Sequence, residues 1–135
     1  MIEINNTTKS KIDETLIQEV ARIVLGEENK AGADLSIAFV GEKRMQYLNK
    51  RYRKKDKITN VLSFEEPEFG LGEIVICLAE VRREAKKYGI TWEERLAWVL
   101  MHGILHLLSY DHEVSQKETE KMNQKEQFYL SLLSQ

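Results

Sequence analysis

All three histidines of this 135-residue chain fall within one stretch, His102-Gly-Ile-Leu-His106-Leu-Leu-Ser-Tyr-Asp-His112. His102 and His106 stand four residues apart. That spacing puts both imidazoles on one face of an α-helix, one turn above the other. His112 follows six residues later, past Ser109, Tyr110 and Asp111, which favour turns over helix. A helix that ends near Leu108 and turns there swings His112 back toward the other two. Three neutral imidazoles so arranged form a site for zinc or a similar divalent ion, and the fourth position stays open for water. That is the catalytic rather than the structural pattern. Histidines at this spacing on a helix are a known zinc geometry, and in zinc proteases a glutamate directly follows the first of them as general base. Gly103 stands there in this chain, so protease chemistry lacks its base. A glycine inside a helix costs about 1 kcal/mol relative to alanine, and its presence points to close approach at this position by another backbone or by substrate.

The elements that must position these groups can be read around them. Thr91-x-x-Glu94 is a capping box, and Leu96 to Leu108 is apolar on nearly every face. The histidine helix therefore belongs buried at the centre of the domain. Trp92 and Trp98 read as packing residues rather than base-stacking platforms. Upstream, Leu71 to Leu78 is the strongest strand, unbroken in apolar residues from Ile74, and so a central strand covered on both faces. Cys77 within it is a buried small hydrophobe. Residues 2–5 alternate as a short edge strand, 34–40 as a second strand closed by Gly41, and Asn60 to Phe64 as a third. Ser10 and Asp13 resemble a capping box for a first helix through Ile12, Leu16, Val20, Ile23 and Val24 that ends at Gly26. Met45, Leu48 and Tyr52 mark one face of a second helix over 42–52. Ala79 to Tyr88 is a third, with Val81, Ala85 and Tyr88 inward and Gly89 as its stop. Ser115-x-x-Glu118 caps a last helix through Met122 and Tyr129 to Leu133. The order β-α-β-α-β-β-α-α-α predicts one α+β domain over residues 1–135, with a small mixed sheet of about four strands packed by about five helices.

Lys50-Arg-Tyr-Arg-Lys-Lys-Asp-Lys57 carries six positive residues and one negative in eight. Cations suit a helix C-terminus, and that alone accounts for many such runs. Beside a metal site, an arginine here becomes a candidate phosphate clamp. The acidic loop Glu65 to Gly70 holds the only proline and three carboxylates, which an exposed turn explains more simply than a second cation.

Composition narrows the class. Apolar residues are 42% and charged residues 31%, ordinary for a globular protein, and the net charge is −2. Any nucleic-acid surface must therefore be local. The N-terminal Met1-Ile-Glu-Ile-Asn-Asn lacks the pattern of a signal peptide. The apolar run Leu96 to Met101 is too short to span a bilayer, and a lone cysteine forms no internal disulfide. These features predict a cytoplasmic protein with no membrane partner.

Three blocks together resemble the YbeY family of bacterial rRNA maturation endoribonucleases. The first is His102-Gly-x-Leu-His106-Leu-x-x-Tyr-Asp-His112. The second is Leu48-Asn-x-x-Tyr52-Arg53-x-Lys-Asp56-x-x-Thr59-Asn60-Val-Leu-Ser-Phe64, and the third is Leu71-Gly-Glu-Ile-Val-Ile76. The resemblance implies a zincin-like histidine helix with one Zn2+ held by His102, His106 and His112, and Arg53 as the further catalytic residue. It implies a single-strand-specific, metal-dependent endoribonuclease acting on ribosomal RNA at the 3′ end of the small-subunit species and in ribosome quality control. The expected partners are single-stranded RNA and the ribosome or its small subunit, with no DNA. Ser109 stands where the family usually has glycine, and proline is delayed to Pro67 after Phe64. Both departures bear on loop shape, and neither removes a proposed ligand.

On this reading Arg53 grips a phosphate, Lys54, Lys55 and Lys57 follow its neighbours, and Asp111 orients histidines. The general base is left open by Gly103, as is the choice between water and the RNA 2′-hydroxyl as attacking group. Two rival readings fit part of the pattern. A metalloprotease or other metallohydrolase explains the histidines but not the missing glutamate or the basic run. A ribosome assembly factor, in which the metal only staples the fold, predicts that stripping the metal unfolds the domain while Arg53→Ala leaves cellular function intact.

Overall fold

The computed structural model describes residues 1–66, 70–108 and 116–133. In chain order these form β1 (Ile2–Asn6), α1 (Glu14–Glu27), β2 (Leu35–Val40), α2 (Glu42–Arg53), β3 (Val61–Glu65), β4 (Gly72–Cys77), α3 (Leu78–Tyr88), α4 (Trp92–Leu107) and α5 (Gln116–Leu133). The four strands make one mixed sheet in the order β1-β2-β4-β3. The first three in that order are parallel, and β3 pairs antiparallel to β4 as an edge strand. The expected α+β architecture, with its strand and helix numbers, is what forms.

Side-chain alternation along β4 divides the core. Ile74 and Ile76 face a large cluster with Ile17, Val24, Ile37, Phe39, Leu100 and Ile104. Val75 and Cys77 face the other way, into a small cluster with Ala38, Met45, Leu48 and Leu62. β4 is therefore covered on both faces, as an unbroken apolar run requires. α1, α3, α4 and α5 contribute to the first cluster, and α2 packs on the second through Met45 and Leu48. Leu96, Val99, Leu100, Met101, Ile104 and Leu105 of α4 are all fully buried, which makes it the central helix. α5 is tied over this face at its far end. The Tyr129 hydroxyl donates to Glu28, which also pairs with Lys125 at 3.0 Å.

Gly72 opens β4 at φ 139°, and a Cβ there would sit 2.1 Å from the Phe64 carbonyl oxygen. Only glycine allows β3 and β4 to approach this closely. That is the physical content of the Leu71-Gly72-Glu73 block.

Several local expectations are corrected. The cap of α1 is Asp13 alone, whose carboxylate accepts from the Leu16 N–H at 3.2 Å. Ser10 belongs instead to a preceding turn, where its N–H donates to Thr8 Oγ1 and its carbonyl accepts from Asn6. α1 runs past Gly26 to Glu27, and Asn29 takes the left-handed conformation that ends it, at φ 60°. Tyr88 is 55% exposed rather than inward. It lies in the last turn of α3, where the Arg95 guanidinium covers its ring at 4.8 Å. Tyr52 is likewise exposed, resting edge-on against Phe64, and Asn49 takes the inward place and donates to the Lys57 carbonyl. The expected cap at Ser115 and the departures at Ser109 and Pro67 lie outside the described residues.

Candidate metal centre and phosphate clamp

α4 starts where its sequence says it should. The Thr91 hydroxyl accepts from the Glu94 N–H at 3.1 Å, and Glu93 and Glu94 place negative charge at the helix N-terminus. Arg95, Trp98, His102 and His106 then follow on one face. The rings of Trp98 and His102 stack with centroids 4.8 Å apart and planes 20° apart. The Arg95 guanidinium sits 4.2 Å from the Trp98 ring centroid. Arg95 also pairs with Glu84 at 2.9 Å, and Glu84 accepts from Asn60 at 3.0 Å. A continuous chain of contacts thus runs from the residue before β3, across α3, to the first histidine. Trp98 packs, as its surroundings in sequence suggested, and the group it packs against is His102.

His102 and His106 are brought together. Their Nε2 atoms lie 3.1 Å apart, with the rings at 73°. Two nitrogens each about 2.0–2.1 Å from one tetrahedral ion lie about 3.3–3.4 Å apart. The two nitrogens stand in hydrogen-bond contact a few tenths of an ångström inside that spacing, and neutral imidazole nitrogen is the right donor for such an ion. Among the described residues, no three His, Cys, Asp or Glu side chains converge as a metal-holding group. His112, the proposed third ligand, and Asp111 lie outside the described residues.

The residue that sequence reasoning missed is Glu126, on α5. Its carboxylate lies 3.3 Å from His102 Nδ1, and its side chain is only 4% exposed. A signal for it exists in the sequence, since Met122, Glu126 and Tyr129 recur at helical spacing and all three are buried.

Gly103 has a reason different from the one expected. A Cβ there would meet the Val61 and Ile74 methyl groups, each at 3.2 Å. Side chains of the sheet make the close approach, not a backbone or a substrate. The Ser63 hydroxyl adds a hydrogen bond to the Gly103 carbonyl at 3.1 Å. A glutamate at this position would press on those methyl groups and require them to shift, which disfavours a protease base there.

Arg53 sits elsewhere. It is the last residue of α2, exposed, and α2 covers the opposite face of the sheet from α4. The two regions meet at β3. Ser63 touches α4 from one side of that strand, and Phe64 touches Tyr52, the neighbour of Arg53, from the other at 5.2 Å. Arg53 makes no ion pair with another described residue, whereas Lys50 of the same segment lies 3.8 Å from Asp56. Lys50, Arg51 and Arg53 occupy the last turn of α2, where the helix dipole favours cations. Hydrogen bonding to Tyr52, with a smaller contribution from Tyr47, raises the pKa of Arg51 above its usual value. The Cys77 thiol, packed beneath α2, is pushed up by burial, which suits a packing residue rather than a nucleophile.

Comparison with known proteins identifies the family of the chain. The family described as Endoribonuclease YbeY matches residues 3–134. An Endoribonuclease YbeY of Carboxydothermus hydrogenoformans is 40% identical, across 98% of this chain and 97% of the relative. One of Thermodesulfovibrio yellowstonii is 43% identical, across 89% of this chain and 78% of the relative. The solution structure of TM1509 from Thermotoga maritima superposes with a TM-score of 0.69 at 30% identity, covering 96% of this chain and 87% of that one. Among the described residues no helix is long and apolar enough to cross a membrane. With sequence and fold agreeing along nearly its whole length, this chain belongs to the Endoribonuclease YbeY family.

Proposed function

We propose that residues 1–135 form a single-strand-specific, metal-dependent endoribonuclease domain acting in ribosomal RNA processing, at the 3′ end of the small-subunit RNA, and in ribosome quality control. The proposed setting is the cytoplasm, with the ribosome or its small subunit as partner. The observation that carries the chemistry is the pair of Nε2 atoms 3.1 Å apart on a buried helix. His102 and His106, with His112, would hold a Zn2+ ion, which when bound acts as a Lewis acid toward phosphate oxygen and lowers the pKa of bound water toward about 7.

The chain's own groups do the rest. Arg53 presents a planar, permanently charged fork suited to two phosphate oxygens, and it stabilises the charge that accumulates there during attack. Lys54, Lys55 and Lys57 are exposed beside it and attract the flanking phosphates. β3 is an edge strand with the histidines on one side and Arg53 on the other. A single strand is flexible enough to cross that edge and reach both, and a duplex backbone is not. The crowded position at Gly103 counts against a protease.

The test is cleavage of an end-labelled single-stranded RNA by the wild type and His106→Ala, with metal content measured on both. The wild type should carry metal and cut. His106→Ala should lose metal and fall by well over ~100-fold, more than an outer-shell change costs. A 2′,3′-cyclic phosphate on the product would identify the RNA 2′-hydroxyl as the attacking group. Equal cutting by both proteins would contradict the proposal. Metal-loaded wild type that cuts no RNA would favour the assembly-factor reading, and one that cuts casein the protease.

A further inference from the structure

We infer that Glu126 is the positioning residue of His102, fixing its tautomer so that Nε2 presents its lone pair on the side of His106, with Trp98 holding the ring plane. The inference rests on the metal site proposed above and goes beyond it to a residue on a different helix.

Glu126 lies in the middle of the buried stripe of α5, between Met122 and Tyr129, both fully buried. A carboxylate in that place costs stability that a leucine would not, unless it is matched by a hydrogen bond or charge. Its Oε1 is 3.3 Å from His102 Nδ1. A carboxylate oxygen serves as the acceptor in this contact, which makes the facing imidazole nitrogen its N–H donor. A neutral imidazole carries one N–H, and with that proton on Nδ1 the lone pair is on Nε2. Nε2 is the atom that faces His106. Trp98 stacks on the ring face at 4.8 Å and opposes rotation about the Cβ–Cγ bond, while Arg95 backs Trp98 from within α4. One in-plane contact and one face contact together determine the ring orientation. A carboxylate on the remaining nitrogen of a metal-binding histidine is a common arrangement because it both orients the ring and raises its basicity.

The test uses the full chain, with the metal-free protein prepared by chelation. Histidine ring 15N shifts in the metal-free wild type should show the proton of His102 on Nδ1. Glu126→Leu and Glu126→Met remove the acceptor but suit the buried stripe, and Glu126→Gln keeps an acceptor oxygen. Leu and Met should release the tautomer preference and weaken Zn2+ binding by about 10–100-fold with helical content retained. Gln should recover part of the affinity. A wild-type proton on Nε2 would overturn the inference, as would folded Leu or Met variants that bind Zn2+ like wild type with unchanged ring shifts. A wild type that binds no Zn2+ would instead sink the metal-site reading, and the metal-free ring shifts would still decide the role of Glu126.

Discussion

The end of α2 and the middle of α4 are built on opposite terms. α4 buries nine of its sixteen residues, and its histidines are held by stacking, hydrogen bonding and the sheet beneath. α2 buries three of twelve and ends in a row of exposed cations. A metal site needs nitrogens fixed to a fraction of an ångström, which a packed core supplies. A phosphate clamp needs charge that an incoming strand can reach, which a surface supplies. The contrast teaches where perturbations should be read: changes around α4 mix stability with chemistry, and changes at the end of α2 report chemistry alone.

The sharpest way to break this contrast is to cut into the α4 core. Leu100→Ala removes a fully buried side chain at the centre of the main cluster. It should lower unfolding free energy by about 2–5 kcal/mol in urea titration. A loss comparable to that of a surface substitution would mean that α4 is not the central support. Gly103→Leu tests the contact with the sheet beneath the histidines. The added side chain meets Val61 and Ile74, and the expected cost is roughly 1–3 kcal/mol from overpacking. Unchanged stability would show that the sheet yields there and that glycine is not required. The smallest effect should come from the surface half and have the opposite sign. Lys54 caps α2 at φ 59° in the left-handed region. Left-handed backbone costs a non-glycine residue about 1–2 kcal/mol, and glycine returns roughly half of that through its greater freedom when unfolded, so Lys54→Gly should stabilise by ~0.5–1 kcal/mol. A thermal melt that shifts downward would contradict the strain assigned to this cap.

Much of the histidine half was legible because its signals are local. The Thr91 capping box, the apolar run after it and the four-residue spacing of His102 and His106 each specify a helix without reference to the rest of the chain. The apolar run in β4 announced a strand covered on both sides. What was not legible depends on partners distant in sequence. Nothing in α2 itself says that it packs on the sheet face opposite α4, since strand order is set by pairing between segments. Glu126 keeps helical spacing with Met122 and Tyr129, but its partner is identified only once α5 is docked and its carboxylate meets His102. Tyr88 misled for a related reason: its spacing is right for the buried stripe of α3, but the helix end carries it clear of the core, and Arg95 covers it instead. Gly103 is odd within a helix on sequence alone, yet its neighbours, Val61 and Ile74, are identified only from the packed sheet.

The central claim is that the metal half and the phosphate half are separate in stability and joint in chemistry. Its most direct test is single-turnover cleavage of an end-labelled single-stranded RNA by wild type and Arg53→Ala, purified identically, with metal content and melting temperature measured on both. Arg53→Ala should keep its metal, stay within about 0.5 kcal/mol of wild-type stability, and cut about 10²–10³-fold more slowly. Equal rates from two metal-loaded, equally stable proteins would remove Arg53 from the chemistry and leave the histidine helix without its partner.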